Sequence, residues 1–243
     1  MDTGTFAVEA QVEETHWWFT GRRWLFAREI GRLGLPAAAP VIDIGTGTGS
    51  GLRMLRDVGF TNVRGVDASK DAIRFAEEKG LGPVERGSIY AVPVADASQR
   101  LVVATDVIEH VDDDMRALRE VRRVLAPQGF ALITVPAFMS LWGLQDERAQ
   151  HKRRYRLNAL LRLLDEAGLA PVRSYYFNYL LFGPIWLARQ IIRLLDIKLA
   201  SENEVNSPAI NWLLSGIFRL DCATAPLLHP PFGVSALVVA KRK

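Results

Sequence analysis

The nine residues Val41-Ile42-Asp43-Ile44-Gly45-Thr46-Gly47-Thr48-Gly49 restrict what this chain can fold into more than any other stretch. Val41, Ile42 and Ile44 form a short apolar run of the kind found in strands buried on both faces. Glycines at alternate positions allow a tight turn and a close backbone approach to a ligand. Ser50 to Val58 continues as a helix, whose N-terminal amides would point back at that ligand.

The remaining elements fall into place around this turn. Val63 to Asp67 reads as a second strand ending in an acid, followed by a helix to Lys79. Pro83 to Gly87 and Arg100 to Asp106 read as the third and fourth strands. Asp112 to Leu125 is a helix with an acidic start and a basic end, which suits the helix dipole. Pro127-Gln128-Gly129 is a turn before a fifth strand, Phe130 to Val135. Strands alternating with helices predict a parallel, doubly wound α/β sheet. Beyond Pro136 the pattern changes to a polar stretch at 145–156, a helix at 157–167 stopped by Gly168, and a strand at 171–176. Apolar helical segments at about 180–199 and 208–222 follow, separated by a polar linker at 201–208, and a last strand covers 233–240. Ahead of the first strand, aromatics crowd residues 13–19 and a helix runs from Gly21 to Leu33, ended by Gly34 and Pro36.

Composition excludes several classes. The 243 residues, 49% hydrophobic and 23% charged, suit one large domain or two small ones. A net charge of +3 is too weak and too dispersed for a typical nucleic-acid binder, and no nucleic-acid partner is expected. One cysteine, Cys222, allows no internal disulfide and fits a reducing, cytoplasmic setting. Residues 1–14 are acidic and lack the apolar core of a signal peptide. The most apolar stretch, 175–195, is broken by Asn178, Gly183-Pro184, Arg189, Gln190 and Arg193, short of the roughly 20 apolar residues of a membrane span. No metal is expected.

The glycine turn admits two readings. The dinucleotide fingerprint G-x-G-x-x-G fails here, because its third glycine would fall at Ser50 or Leu52. What is present is acid-x-Gly-x-Gly-x-Gly with Asp43 inside the strand, and Asp67 ends the second strand where an acid can accept both hydroxyls of a ribose.

In combination, Val41 to Gly49, Gly65-Val66-Asp67, Asp106-Val107-Ile108-Glu109-His110-Val111 and Leu125-Ala126-Pro127-Gln128-Gly129-Phe130 resemble the motifs of class I S-adenosylmethionine-dependent methyltransferases. The resemblance covers about residues 40–136. It implies a Rossmann-like seven-stranded sheet of order 3-2-1-4-5-7-6, its last strand antiparallel, with an N-terminal helical cap and a C-terminal apolar helical insertion. It implies S-adenosylmethionine as cofactor and S-adenosylhomocysteine as product. Asp43 would help hold the methionine ammonium, Gly45, Thr46, Gly47 and Gly49 would admit the ligand, Asp67 would take the ribose, and Ala68 would lie near the adenine. Ser88, Ile89, Thr105 and Asp106 complete the implied cofactor set. Ser88 stands where an Asp is common, and Gln128 replaces a glycine. The segments 14–19 with Arg22-Arg23, 151–155 and 231–235 further resemble a bacterial group with an N-terminal His-Trp-Trp-Phe segment, whose substrates are mostly unassigned.

Methyl transfer asks the protein mainly to position the acceptor and manage its proton. His151, Tyr155 and His110 are the candidate catalytic residues, with His16 and Asp146 as further candidate bases; a structural role for His110 is the plainer alternative. His16, Trp17, Trp18 and Arg154 are candidate acceptor contacts. Lys152, Arg153, Arg154 and Arg156 would recognise a phosphate or carboxylate, or form a solvated basic loop. The apolar segment 176–199 has four destinations open: an acceptor pocket, a membrane surface, a homodimer interface, or an extra core helix. The expectation is one methyltransferase domain over 1–243, with a cap at 1–38, a cofactor core at 39–136 and an acceptor-side half at 137–243 carrying a helical insertion at about 178–225. Its acceptor would be a small or lipid- or sugar-linked molecule methylated on oxygen or nitrogen. A non-catalytic cofactor-binding protein, an NAD-dependent oxidoreductase and an RNA or protein methyltransferase are the rivals.

Overall fold

In the computed structural model, residues 10, 12–195 and 207–243 are described. The expectations for most of residues 1–14 and for most of the 201–208 linker lie outside the described residues.

The chain enters through helix α1 (Trp17–Gly31) and then alternates. Strand β1 (Val41–Ile44), helix α2 (Ser50–Asp57), β2 (Val63–Asp67), α3 (Lys70–Glu78) and β3 (Val84–Arg86) form the first half. Strand β4 (Gln99–Thr105), a 3-10 turn at Ile108–His110, helix α4 (Asp114–Val124) and β5 (Leu125–Pro136) follow. The last part contains helices α5 (Leu144–Arg148) and α6 (Leu157–Glu166), β6 (Leu169–Phe177), α7 (Phe182–Leu194), α8 (Pro208–Leu228) and β7 (Ser235–Arg242). The seven strands make one sheet of order β3-β2-β1-β4-β5-β7-β6. Every pairing is parallel except those of β7, which runs antiparallel to both β5 and β6.

Alternation along the strands explains the two-sided core. Ile42, Ile44, Val102 and Ala104 face a layer built by α4 and α6, through Leu118, Val121, Leu160 and Leu164. Val41, Leu101 and Val103 face the opposite layer, where Leu25, Phe26, Leu52, Leu55, Phe218 and Cys222 pack from α1, α2 and α8. Burying each such Val, Leu, Ile or Phe side chain contributes about 1.5–3 kcal/mol.

Several boundaries differ from the sequence reading. α1 starts four residues before Gly21, because His16 caps it by accepting the Trp18 amide at its Nδ1, 3.2 Å away. Pro127-Gln128-Gly129 is a bulge inside β5 and does not separate two elements: pairing jumps from Gln99↔Leu125 to Leu101↔Phe130. Gln128 carries the bulge at φ +63, and a Cβ on Gly129 would press on the carbonyls of Ala126 and Gln99. α8 runs to Leu228, six residues past the expected end, with Pro226 in its last turn. Among the described residues no helix is long and apolar enough to cross a membrane. α7 and α8 nonetheless expose Trp186, Leu187, Ile191, Leu194, Trp212, Leu213 and Leu220.

Candidate active site

The parallel strands end at a common edge, and a cavity of about 750 Å³ opens there beneath α1. Its floor is the glycine turn between β1 and α2. Gly45 sits at φ +73, with Val107 packed so closely that an added Cβ would come within 2.6 Å of its Cγ2. Gly47 sits at φ +55 with open space beyond it. Gly49 does not line the cavity, which corrects its expected ligand role. It caps α2 at φ +89 and lies against Leu81 and Ala76, so its task is packing.

Two acids frame the turn. Asp43 is 3% exposed. Burial first, then the charge of Asp67, raises its carboxyl to about 7. Asp67 accepts the Gly47 amide at 2.9 Å and the Ser69 amide at 2.8 Å, one on each oxygen, which ties the end of β2 to the glycine turn. Thr46 lines the cavity while its hydroxyl donates to the Asp43 carbonyl at 2.9 Å. Ala68, Ser88, Ile89, Thr105 and Asp106 line it too, so apart from Gly49 the whole expected cofactor set meets at one surface.

Asp106 holds φ +55 at the end of β4. Its Oδ2 lies 2.5 Å from Arg22 Nη2, and its Oδ1 accepts from the Thr134 hydroxyl at 3.0 Å. The Arg22 guanidinium also stacks over Trp18 and Phe26. Trp17 and Trp18 line the cavity and pack on Phe218 of α8 at ring distances of 5.3 and 5.2 Å. They serve as lining and as cap anchors together. His16 is buried, its pKa lowered by that burial.

The other end of the cavity holds the imidazoles. His151 Nδ1 lies 2.8 Å from Asp146 Oδ1, and the His110 and His151 rings meet edge-on at 4.7 Å. Burial, then the neighbouring His151, lowers His110 to about 4, so it is neutral at neutral pH. Burial opposes ionisation of Asp146, but hydrogen bonds from His151 and Arg154 outweigh it and hold the carboxyl below the usual range. Asp146 is therefore a fixed anion that orients its neighbours, which corrects its reading as a base. Burial first, then Asp106, pushes Glu109 well above the usual range.

Two further expectations are corrected. Tyr155 lies outside the lining: its hydroxyl donates to Asp114 Oδ2 at 2.9 Å and lies 3.2 Å from the Ile108 carbonyl. Burial and then the adjacent Asp114 push its phenol above its usual range, so it is a structural tie and not a catalytic group. Arg154 reaches the cavity wall, but its guanidinium grips Asp146 with two 2.8 Å bonds and the Ala137 carbonyl at 3.0 Å. Its charge supports the His151 loop; that engagement corrects the expected acceptor contact. Lys152 and Arg153 are similarly engaged, with Asp112 and Asp114.

Sequence reasoning missed Arg22, Gly51 and Glu109. A Cβ on Gly51 would collide with the Asp43 carboxylate, so the acid needs a glycine one turn along. The extra glycine directly after Ser50 was its only signal. Arg22 and Glu109 stood inside quoted motifs, but nothing in spacing says that Arg22 reaches the cleft or that Glu109 is buried against His151.

The sheet order and its carboxyl-edge cleft are those of the Rossmann-like methyltransferase fold. Residues 42–133 match the family model described as a methyltransferase domain. A Mycolicibacterium smegmatis protein described as an S-adenosylmethionine-dependent methyltransferase is 29% identical over 171 residues, 68% of this chain and 64% of its own. Dimethylglycine N-methyltransferase of Parasynechococcus marenigrum is 36% identical over 110 residues, 42% of this chain and 39% of its own. The chain thus spans less than two thirds of the length of these relatives. Among solved structures, the methyltransferase component of a Haloferax volcanii complex with the Trm112 activator superposes with a TM-score of 0.63. It is 19% identical, with 98% of this chain and 94% of that one covered, a likeness of fold.

Proposed function

We propose that the chain is an S-adenosylmethionine-dependent methyltransferase acting on the oxygen or nitrogen of a small or lipid- or sugar-linked acceptor. The observation that carries the reading is the acid pair on either side of Gly47: a buried Asp43 whose carboxyl is raised to about 7, and Asp67 at the end of β2. The cleft fits the cofactor, because Gly47 faces open space that a Cβ would enter and the volume accommodates a nucleoside ligand with an acceptor beside it. When bound, that cofactor supplies a methyl group on a sulfonium leaving group.

The chain's own residues do the rest. Asp43 offers a buried anion to an ammonium, and Asp67 keeps lone pairs for ribose hydroxyls. Ala68, Ser88 and Ile89 flank the adenine end. Trp17, Trp18 and the stacked Arg22 cover the cleft and exclude water. His151, held by Asp146 through Nδ1, lines the acceptor end with its Nε2 3.8 Å from Glu109 Oε1, and neutral His110 stands beside it. Ile185, Ile210 and Leu214 line the far wall, on helices whose outer faces expose Trp186 and Trp212. That apolar approach supports an acceptor with a hydrophobic part, collected from a lipid surface touched by α7 and α8; a homodimer across the same face is the alternative.

Calorimetry with S-adenosylhomocysteine and NAD, followed by methyl-label transfer to an acceptor panel, tests the reading. Binding of S-adenosylhomocysteine alone supports it. Binding of NAD alone, or of neither, sinks it. Tight binding without turnover on any acceptor would favour a non-catalytic binder.

A further inference from the structure

We infer that Glu109, His110 and His151 form a site for a divalent transition-metal ion, Zn²⁺ by its donor set, at the acceptor end of the cavity. The ligand atoms of the three residues all lie within 4.8 Å of one another. Glu109 is completely buried, and neither carboxylate oxygen has a hydrogen-bond partner. The nearest imidazole nitrogen, His151 Nε2, stands 3.8 Å from its Oε1. A buried carboxylate with two unused acceptors is unfavourable unless something positive meets it.

The surroundings are arranged as metal-binding imidazoles require. A ligating histidine gives its other ring nitrogen to a carboxylate or a carbonyl, which fixes the tautomer and aims the free lone pair. His151 gives Nδ1 to Asp146 at 2.8 Å, leaving Nε2 toward Glu109. His110 is hydrogen-bonded to the backbone of Ala149. The main chain locks the two segments together, because the Lys152 amide donates to the Glu109 carbonyl at 2.8 Å. Tetrahedral Zn²⁺ with bonds of about 2.1 Å holds its donors about 3.4 Å apart. The observed 3.8 Å between His151 Nε2 and Glu109 Oε1, and the 4.8 Å that bounds all three donors, are wider than this, so an ion would have to draw them inward. Two imidazoles exclude Ca²⁺ and Mg²⁺, which prefer oxygen. Three protein ligands leave a fourth position, and His110 and His151 both face the cavity.

The ion would take the lone pairs otherwise left to the acceptor's proton, so its open position would bind the acceptor's oxygen, nitrogen or sulfur and lower that group's pKa, its proton passing to solvent. This last step rests on the proposed methyltransferase function; the metal site does not.

Tag-free full chain, stripped with chelator, is dialysed against Zn²⁺ and analysed for metal, and Co²⁺ loading is followed by its visible absorption. S-adenosylhomocysteine binding is measured separately on the same samples. One equivalent of ion, a tetrahedral cobalt spectrum, and at least a roughly tenfold affinity loss in both Glu109→Gln and His151→Gln are expected. No stoichiometric ion in a chain that still binds S-adenosylhomocysteine overturns the site and leaves the functional reading standing. An ion held without S-adenosylhomocysteine binding supports the site and sinks that reading. Equal affinity in wild type and Glu109→Gln overturns the assignment. So does a Glu109→Gln chain that melts higher than wild type with no dependence on metal, because Glu109 would then be a neutral buried acid.

Discussion

Arg22 Nη2 stands 2.5 Å from Asp106 Oδ2, so a residue of the first helix is tied to the end of the fourth strand, across the mouth of the cleft. The pair is largely shielded, and Arg22 also stacks on Trp18 and Phe26. Removing either partner leaves the other charge uncompensated in a partly dry site. Arg22→Met is expected to destabilise the chain by about 1–3 kcal/mol and to weaken S-adenosylhomocysteine binding. A double-mutant cycle with Asp106→Asn, read by urea denaturation, should give a coupling of about 0.5–3 kcal/mol. Additive losses would mean that the pair holds nothing together.

Asp43 links pH to stability and to binding. Folded Asp43 keeps its proton up to about 7, while the unfolded group loses it near 3.8. Between those values the unfolded state holds fewer protons, so stability falls as pH rises across the window, by up to about 4 kcal/mol. Asp43→Asn should flatten that part of the profile. A cationic ammonium needs the charged acid, so affinity for S-adenosylhomocysteine should rise toward pH 7 in wild type and lose that rise in Asp43→Asn. Calorimetry from about pH 5.5 to about pH 7.5 measures it.

Gly47 and Gly51 separate ligand space from packing space. A Cβ at Gly47 meets no atom of the chain, and its φ of +55 costs an alanine about 1–2 kcal/mol. Gly47→Ala should therefore lower Tm modestly but weaken cofactor binding by tenfold or more. Gly51→Ala pushes the Asp43 carboxylate out of place and should cost stability and binding together. Equal effects on Tm with no effect on binding would remove Gly47 from the site.

His151 and Tyr155, four residues apart, are expected to behave differently. His151→Ala should cut turnover at saturating acceptor by at least about a hundredfold while leaving S-adenosylhomocysteine affinity within a few-fold. Tyr155→Phe should lower stability by about 1–2 kcal/mol, through loss of its bond to Asp114, and leave turnover per folded molecule unchanged. Steady-state kinetics alongside thermal melts distinguish the two.

What the sequence determined by itself was the local order of the chain. Short apolar runs, glycine punctuation and acids at element ends act between near neighbours, so the β-α alternation, the glycine turn and the positions of Asp43 and Asp67 are legible in the sequence. The sheet order and the antiparallel last strand came from resemblance, and the structure agrees with both. Tertiary structure alone decided the acceptor end. Whether Arg154 meets a ligand or grips Asp146, and whether Tyr155 faces the cleft or Asp114, depends on contacts between segments 8 to 41 residues apart. The same holds for Glu109, buried 42 residues from His151 in sequence yet 3.8 Å from its ring. Charge pairing and desolvation at such contacts depend on three-dimensional distance, which residue spacing along a chain does not encode.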